Sequence, residues 1–186
     1  MKFICLGFFV EEQWETLSKA EQDALIEECF AYDDQLLKDG KIRYWGVSNF
    51  GVDDMGELSE TARNGAIAAT NQVLYNLSRR GIEFDLLPWC SKQRIPIMAY
   101  SPLEQARLSR NRTLQSIGTH RQATASQIAL AWVLRQPHVI AIPKAGNTAH
   151  VQENRAAVDI QLRAADLQQL DEAFPPPRRK KSLEML

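Results

Sequence analysis

The sequence of 186 residues has few cysteines, almost no net charge and no long apolar run. Its three cysteines, Cys5, Cys29 and Cys90, are far apart within apolar segments, which predicts reduced packing thiols in a cytoplasmic protein. A formal net charge of −1 gives no field that would recruit nucleic acid or an anionic membrane. No apolar run approaches the roughly 20 residues that span a bilayer. We therefore expect a globular, cytoplasmic protein with neither nucleic-acid nor membrane partners.

Motifs for metals and phosphates are also lacking. His120, His138 and His150 are irregularly spaced and have no Cys or acidic partners at metal-ligand spacing. The sequence contains no P-loop and no glycine-rich dinucleotide fingerprint. We therefore expect no metal site, and any phosphate must be held by other features of the chain.

Short apolar runs that stop at polar or proline residues are present instead. The runs predicted as strands are 2–9, 42–47, 69–74, 95–100 and 139–142. The segments predicted as helices are 18–38, 52–62, 83–94, 112–120, 125–136, one starting near 148, and 165–174. This alternation predicts a parallel α/β sheet of about five strands. The chain is short for a closed eight-stranded barrel, which takes about 250 residues.

Two helix starts carry a capping box. Ser18 with Glu21, and Thr124 with Gln127, have the spacing at which both side chains bond backbone amides of the first turn. Gly40 is the predicted left-handed stop of the first helix. The residues expected on its apolar side are Leu25, Cys29, Tyr32, Leu36 and Leu37. Those expected on the sheet-facing side of the second are Ile128, Ala131, Trp132 and Leu134.

Polar residues just past the strands are the candidate site, because ligands of parallel sheets bind at the carboxyl ends of the strands. Ser48, Asn49 and Gln72 could hold a carboxamide such as that of nicotinamide, or Ser48 and Asn49 could simply begin a turn and cap a helix. Tyr100 could stack on a flat ring or fill the mouth of the barrel.

The segment after the last predicted strand suggests an anion site. Lys144 precedes a helix start at Asn147, where a phosphate finds a cation and free backbone amides together. His150 lies one turn into that helix and could reach the same anion. The alternative is that both are ordinary solvated side chains.

Four ordered blocks of sequence resemble the aldo-keto reductases. They are residues 40–50, 71–76, 99–103 and 142–147, the last followed by Glu153 and Asn154. The resemblance covers residues 37–186 and implies NADP(H)-linked reduction of a small carbonyl substrate by a (β/α)₈ barrel. By position, Ser48, Asn49 and Gln72 would hold the carboxamide and Tyr100 would stack on the nicotinamide.

The resemblance assigns further cofactor contacts. Ser101 and Leu103 would lie along the pyrophosphate. Lys144, Gly146 and Asn147 would hold the 2′-phosphate, with His150 where many members place Arg. Glu153 and Asn154 would lie on the adenine side.

The same resemblance begins at the family's fifth strand. The catalytic Asp, Tyr, Lys and His of the family belong to the first four strands, and no residue here matches them by motif, so no catalytic residue is assigned. Residues 1–36 instead resemble the opening of a YCII-related domain. The predicted organisation is a βα unit of that type over residues 1–40 and, over 41–186, a partial (half) TIM-type barrel.

Three functions follow as hypotheses: an NADP(H)-dependent reductase, an NADP(H)-binding module without turnover, and a truncated fusion product without activity. Five strands that do not close a barrel expose strand edges and an apolar face, which favours self-association.

Overall fold

The structure, a computed structural model, describes residues 11–61 and 68–186. The chain divides into two compact units, Met1–Trp45 and Gly46–Leu186. The strand predicted over residues 2–9 lies outside the described residues. Within the described part of the chain, no helix is long and apolar enough to cross a membrane.

The first unit contains helices α1 (Glu11–Thr16) and α2 (Lys19–Lys38). The predicted capping box at the start of α2 is confirmed, because the Ser18 hydroxyl accepts from the Glu21 amide and the Ser18 amide donates to the Glu21 carboxylate at 2.8 Å. The chain leaves the helix through Gly40, whose φ is +67°.

The apolar side predicted for α2 is only partly correct. Leu25, Cys29, Leu36 and Leu37 are half-buried, whereas Tyr32 is 64% exposed. The half-buried side includes Asp33 instead, so the less exposed face of the helix is rotated by about one residue away from Tyr32.

The second unit is built on a parallel sheet. Among the described residues its strands are β1 (Val47–Ser48), β2 (Asn71–Leu74), β3 (Ile97–Tyr100) and β4 (Val139–Ala141). They lie side by side in chain order, and every neighbouring pair is parallel. The predicted parallel α/β sheet is thus confirmed for these strands, and all four carboxyl ends lie at one edge.

The strands begin later than predicted in three cases. The predicted starts at residues 42, 69 and 95 become Val47, Asn71 and Ile97. β1 is short because Val47 pairs with Asn71, which is the first residue of its neighbour. Gly46 permits this close approach, since a Cβ there would lie 2.7 Å from the carbonyl oxygen of Thr70.

Within residues 46–61 and 68–186, six helices flank the sheet. They are α3 (Val52–Thr61), α4 (Leu86–Gln93), α5 (Arg112–Arg121), α6 (Ala125–Leu134), α7 (Thr148–Ala156) and α8 (Ala164–Ala173). Single 3₁₀ turns occupy Gly81–Glu83, Arg107–Arg110 and Ala157–Asp159. The helix predicted over 83–94 is therefore divided. The division falls at Asp85, which leaves helical geometry and accepts a hydrogen bond from the Leu86 amide.

The core of this unit surrounds α6. The predicted inner residues Ile128, Ala131 and Trp132 are buried, and Leu134 at the helix end is half-buried. The Trp132 ring lies 5.4 Å from that of Tyr75, and the Arg135 guanidinium lies 4.0 Å above its centre. This packing holds the helix layer against the sheet.

Candidate functional site

The carboxyl ends of β1 and β2 bring three predicted site residues together. Ser48 is the register partner of Gln72, and its hydroxyl donates to the Gln72 carbonyl at 3.0 Å. The backbone N–H of Asn49 donates to the same carbonyl at 2.8 Å. The Gln72 side-chain amide lies 3.3 Å from the Met98 sulfur, which orients it within the sheet.

Asn49 carries an unused acceptor at this edge. Its side-chain oxygen is buried and has no hydrogen-bond partner among residues 11–61 and 68–186. Its backbone is left-handed, with φ of +58°, a conformation that Asn tolerates better than most residues. Buried acceptors are nearly always paired in folded proteins, so this oxygen has the chemistry to receive an N–H from a ligand.

β3 places Tyr100 at the same edge. Tyr100 is the register partner of Leu74 and is half-buried, so part of its ring is accessible. Ser101 and Leu103 follow it and are also half-buried. Ser101 has φ of +47°, so the chain turns sharply as it leaves the strand.

The segment that follows Tyr100 contains four left-handed residues without any glycine. Ser101, Glu104, Gln105 and Ala106 all have φ between +47° and +66°. Each such residue costs free energy and persists only where its surroundings hold it. We call residues 101–106 the β3 loop.

Asn76 is a principal support of the β3 loop. Its side chain is fully buried, and its amide nitrogen donates to the Ser101 carbonyl at 2.9 Å and to the Glu104 carboxylate at 2.8 Å. Its own oxygen accepts from the Ser78 and Arg79 amides. Every polar atom of this side chain is thereby used to join the end of β2 to the β3 loop.

Arg79 extends the same contact. Its Nε donates to the second oxygen of Glu104 at 3.1 Å, and its Nη1 donates to Glu184 at 3.0 Å. Local sequence patterns do not predict the group formed by Asn76, Arg79, Glu104 and Glu184. The sequence signal that could have revealed this group is the polar segment directly after β2, because none of its residues is assigned to the predicted carboxamide contacts.

The segment after β4 behaves as a helix start. Asn147 caps α7, since its side-chain oxygen accepts from the His150 amide at 2.9 Å. Lys144, Gly146 and His150 are exposed, so an anion has access to them. The Asn147 side chain is engaged in the helix cap, and an anion site that also uses Lys144 stays a prediction.

The two residues predicted on the adenine side lie further along α7. Glu153 accepts a hydrogen bond of 2.6 Å from the Thr124 hydroxyl, and its carbonyl accepts from Gln127. Glu153 therefore also joins α7 to the start of α6. Asn154 is half-buried beside it.

The C-terminal tail, residues 175–186, packs near the starts of α3 and α4. Lys180 lies 3.4 Å from Asp53 and 3.6 Å from Asp85, measured from Nζ to the carboxylate oxygens. A cavity of about 230 Å³ lies between the tail and the β1–α3 and β2–α4 connections, and its lining includes Val52, Leu74, Ile82 and Leu183. The tail thus forms one wall of a pocket near the ends of β1 and β2.

The four tyrosines differ in what they can do. Tyr32 and Tyr44 are exposed, and Tyr100 is half-buried at the site edge. Tyr75 is fully buried and donates to Glu83 at 2.7 Å. Burial, followed by the Glu83 charge, raises the pKa of Tyr75, which is the opposite of what a proton donor requires.

Comparison with known proteins identifies one family. The model of the Aldo/keto reductase family matches residues 9–174. Methylglyoxal reductase YeaE of Escherichia coli is 48% identical over 166 residues, which are 87% of this chain and 58% of that protein. Glyoxal reductase of Bacillus subtilis is 35% identical over 138 residues, which are 74% and 48% of the two chains.

A solved crystal structure is also similar to this chain. The crystal structure of an aldo-keto reductase from Klebsiella pneumoniae in complex with NADPH is 49% identical to this chain. It superposes with a TM-score of 0.79 over 82% of this chain and 55% of its own. The chain thus spans about half the length of the relatives it matches. It belongs to the aldo/keto reductase family.

Proposed function

We propose that this chain holds NADP(H) at the carboxyl edge of its sheet, as part of a partial (half) TIM-type barrel of reductase descent. The observation that carries the proposal is the buried oxygen of Asn49 beside Ser48 and Gln72, which has no hydrogen-bond partner among the residues that the structure describes. An acceptor in this position fits the N–H₂ group of a carboxamide. The NADPH complex of the Klebsiella pneumoniae relative supports the same assignment.

The remaining contacts extend along the same edge. Tyr100 presents part of its ring to the nicotinamide, and Ser101 and Leu103 lie on the loop that would follow the pyrophosphate. The segment just before α7 and the first turn of that helix are exposed. They would receive the 2′-phosphate through Lys144, Gly146, Asn147 and His150. Glu153 and Asn154 would lie on the adenine side. When bound, NADPH would supply a hydride, and Ser48, Asn49, Gln72 and Tyr100 would orient its nicotinamide ring.

The substrate class in this proposal is a small, reactive aldehyde or dicarbonyl. The names of two relatives, methylglyoxal reductase and glyoxal reductase, support that class. Turnover also needs a proton donor, and the loss of a positioned general acid costs about 10²- to 10⁴-fold in rate. Tyr75 is unsuited to the role, because its hydroxyl is committed to Glu83 and its pKa is raised. We therefore propose that this chain binds the cofactor without ordinary turnover.

Two measurements on the full chain test the proposal. Isothermal titration with NADPH should give saturable binding, and added methylglyoxal should leave the NADPH absorbance nearly unchanged. Oxidation of NADPH at an ordinary reductase rate would instead establish a catalytic reductase. Absence of NADPH binding would reject the cofactor site.

A self-associating half-barrel is a second candidate. Among the described strands β4 is at one end of the sheet; Ile140 lies in it, Ile142 directly follows it, and they are 48% and 37% exposed. Exposed apolar residues on an edge strand favour pairing with a second copy. Sedimentation equilibrium should then give a dimer that Ile140→Lys dissociates, and a monomeric wild-type chain would rule this candidate out.

The origin of the N-terminal segment stays a prediction. The reductase family model extends back to residue 9 and so includes most of the segment predicted to be YCII-related. We retain the boundary at residues 40 and 41 as a hypothesis. It would be supported if residues 41–186 folded and bound NADPH when produced alone.

A further inference from the structure

Arg79 joins two segments that are far apart in the chain. It lies just past β2, donates through Nε to Glu104 in the β3 loop, and donates through Nη1 to Glu184 in the C-terminal tail. The partners are 25 and 105 residues away in sequence. A planar guanidinium can make these two bonds at once from fixed directions, which a lysine ammonium on its flexible stem does less well.

The Glu104 side chain is buried, and the backbone at Glu104 is strained. Glu104 is only 5% exposed, and a buried carboxylate is costly unless it is paired. Arg79 supplies one of its oxygens with a donor, and Asn76 supplies the other. Glu104 is also the first of three consecutive left-handed residues, so the pair that fixes it also holds the strained backbone.

Glu184 belongs to the C-terminal tail, and Lys180 holds that tail at a second point. Lys180 lies between Asp53 and Asp85 at 3.4 and 3.6 Å. These contacts place residues 180–184 against the second unit, where they wall the cavity near the ends of β1 and β2. Arg79 is therefore in contact with the tail and with the β3 loop at the same time.

We propose that Arg79 is a positioning residue that holds the β3 loop in its cofactor-ready conformation and links it to docking of the C-terminal tail. The inference rests on the proposed NADP(H) function, because the β3 loop is the segment assigned to the pyrophosphate. It follows that seating the tail strengthens cofactor binding. Both carboxylate partners should contribute to NADPH affinity, although neither is among the residues assigned to the cofactor.

The first experiment is amide hydrogen exchange on the full chain without cofactor. Arg79→Gln should raise exchange in residues 101–106 by about fivefold while α5 and α6 keep their protection, as expected for loss of a locally held pair. Arg79→Lys should fall between this variant and wild type. Arg112→Gln removes an exposed arginine of α5 and is the matched control, which should leave exchange in the loop unchanged.

The second experiment measures ligand affinity. Arg79→Gln should weaken NADPH binding by about fivefold, and Glu184→Gln by about two- to threefold, in line with a partly exposed ion pair. Adenosine 2′,5′-bisphosphate lacks the pyrophosphate and nicotinamide, so its affinity should not change in either variant. A general loss of structure would weaken both ligands alike, and that result would overturn the positioning role.

The double variant decides whether the two ends are linked. If Arg79 connects tail and loop, Arg79→Gln with Glu184→Gln should cost no more NADPH affinity than Arg79→Gln alone. Fully additive effects would overturn the link. If Arg79→Gln does not fold, the tail variant Glu184→Gln carries the same test, with loss of loop protection supporting the link and its retention overturning it.

Failure of this inference can be told from failure of the proposed function. Wild-type binding of NADPH with unchanged affinity in the Arg79 variants overturns the positioning role alone. Absence of wild-type binding overturns the cofactor site and the cofactor part of the inference. Exchange in the β3 loop then still decides whether Arg79 holds it.

Discussion

Ser48 and Gln72 are register partners in the parallel pairing of β1 with β2, and the Ser48 hydroxyl donates to the Gln72 carbonyl at 3.0 Å. The same carbonyl accepts from the Asn49 amide. These bonds fix the backbone at the point where the side-chain oxygen of Asn49 is buried, without a partner in the described part of the chain. Residues 24 apart in sequence thus form one rigid edge of the sheet.

Asn49→Gly is expected to weaken NADPH binding by about tenfold, because it removes an acceptor whose burial makes its hydrogen bond worth more than one in water. Glycine accepts the left-handed backbone at this position, so the fold should be kept. Titration calorimetry measures the affinity. Gln122→Gly removes an exposed side chain at a similar φ of +54° and should leave NADPH affinity unchanged. Equal affinities for wild type and Asn49→Gly would exclude the carboxamide contact.

Lys144→Gln is expected to lower the affinity for NADPH by about five- to tenfold and to leave that for NADH unchanged. Only NADPH carries the 2′-phosphate, and a charge-assisted contact at an exposed helix start has about this strength. Parallel titrations with the two coenzymes measure the difference. Lys92→Gln, at an exposed lysine of α4, is the control. A similar loss for both coenzymes would contradict a phosphate contact.

Trp132→Ala is expected to lower the free energy of unfolding by about 3–5 kcal/mol, because the ring is fully buried and contacts Tyr75, Arg80 and Arg135. The indole nitrogen has no hydrogen-bond partner within the described part of the chain. Trp132→Phe loses part of the ring volume but keeps an aromatic face for the two arginines, so it should cost less, about 1–2 kcal/mol. Urea unfolding followed by circular dichroism measures both. Equal costs for the two variants would contradict a dominant contribution from the buried ring volume.

Cys90 is expected to make the stability fall in alkaline solution. Burial raises the pKa of its thiol from 9.0 to about 11, so the folded state keeps the proton that the unfolded state loses. The stabilisation is therefore complete below about pH 9 and is lost as the pH rises through about 11. Urea midpoints at pH 8 and pH 10.5, compared between wild type and Cys90→Ala, isolate this effect. Identical pH dependence in the two proteins would show that the thiol does not contribute.

Several elements could be predicted because their determinants are local. Ser18 with Glu21 and Thr124 with Gln127 form the expected capping boxes, since each involves residues only three apart. The start of β1 was predicted five residues too early, because its length depends on where β2 begins. The ends of a strand depend on the neighbouring strand, and the local sequence pattern carries no information about that strand.

The candidate site likewise has a part that the local sequence predicts and a part that it does not. Ser48, Asn49 and Gln72 were predicted together because parallel strands bring their carboxyl ends to one edge. The group of Asn76, Arg79, Glu104 and Glu184 was not predicted, because its contacts join separate segments of the chain. Arginine and glutamate are common surface residues, and nothing local distinguishes those that will meet.

The amino-acid sequence by itself determined the alternation of strands and helices, the helix starts and the polar edge after each strand, since these follow from local periodicity and local hydrogen bonds. Tertiary structure alone decided the register of β1 on β2, the unpartnered oxygen of Asn49 and the joining of the β3 loop to the tail through Arg79. These depend on which distant groups occupy the same space, and that is settled only when the chain packs.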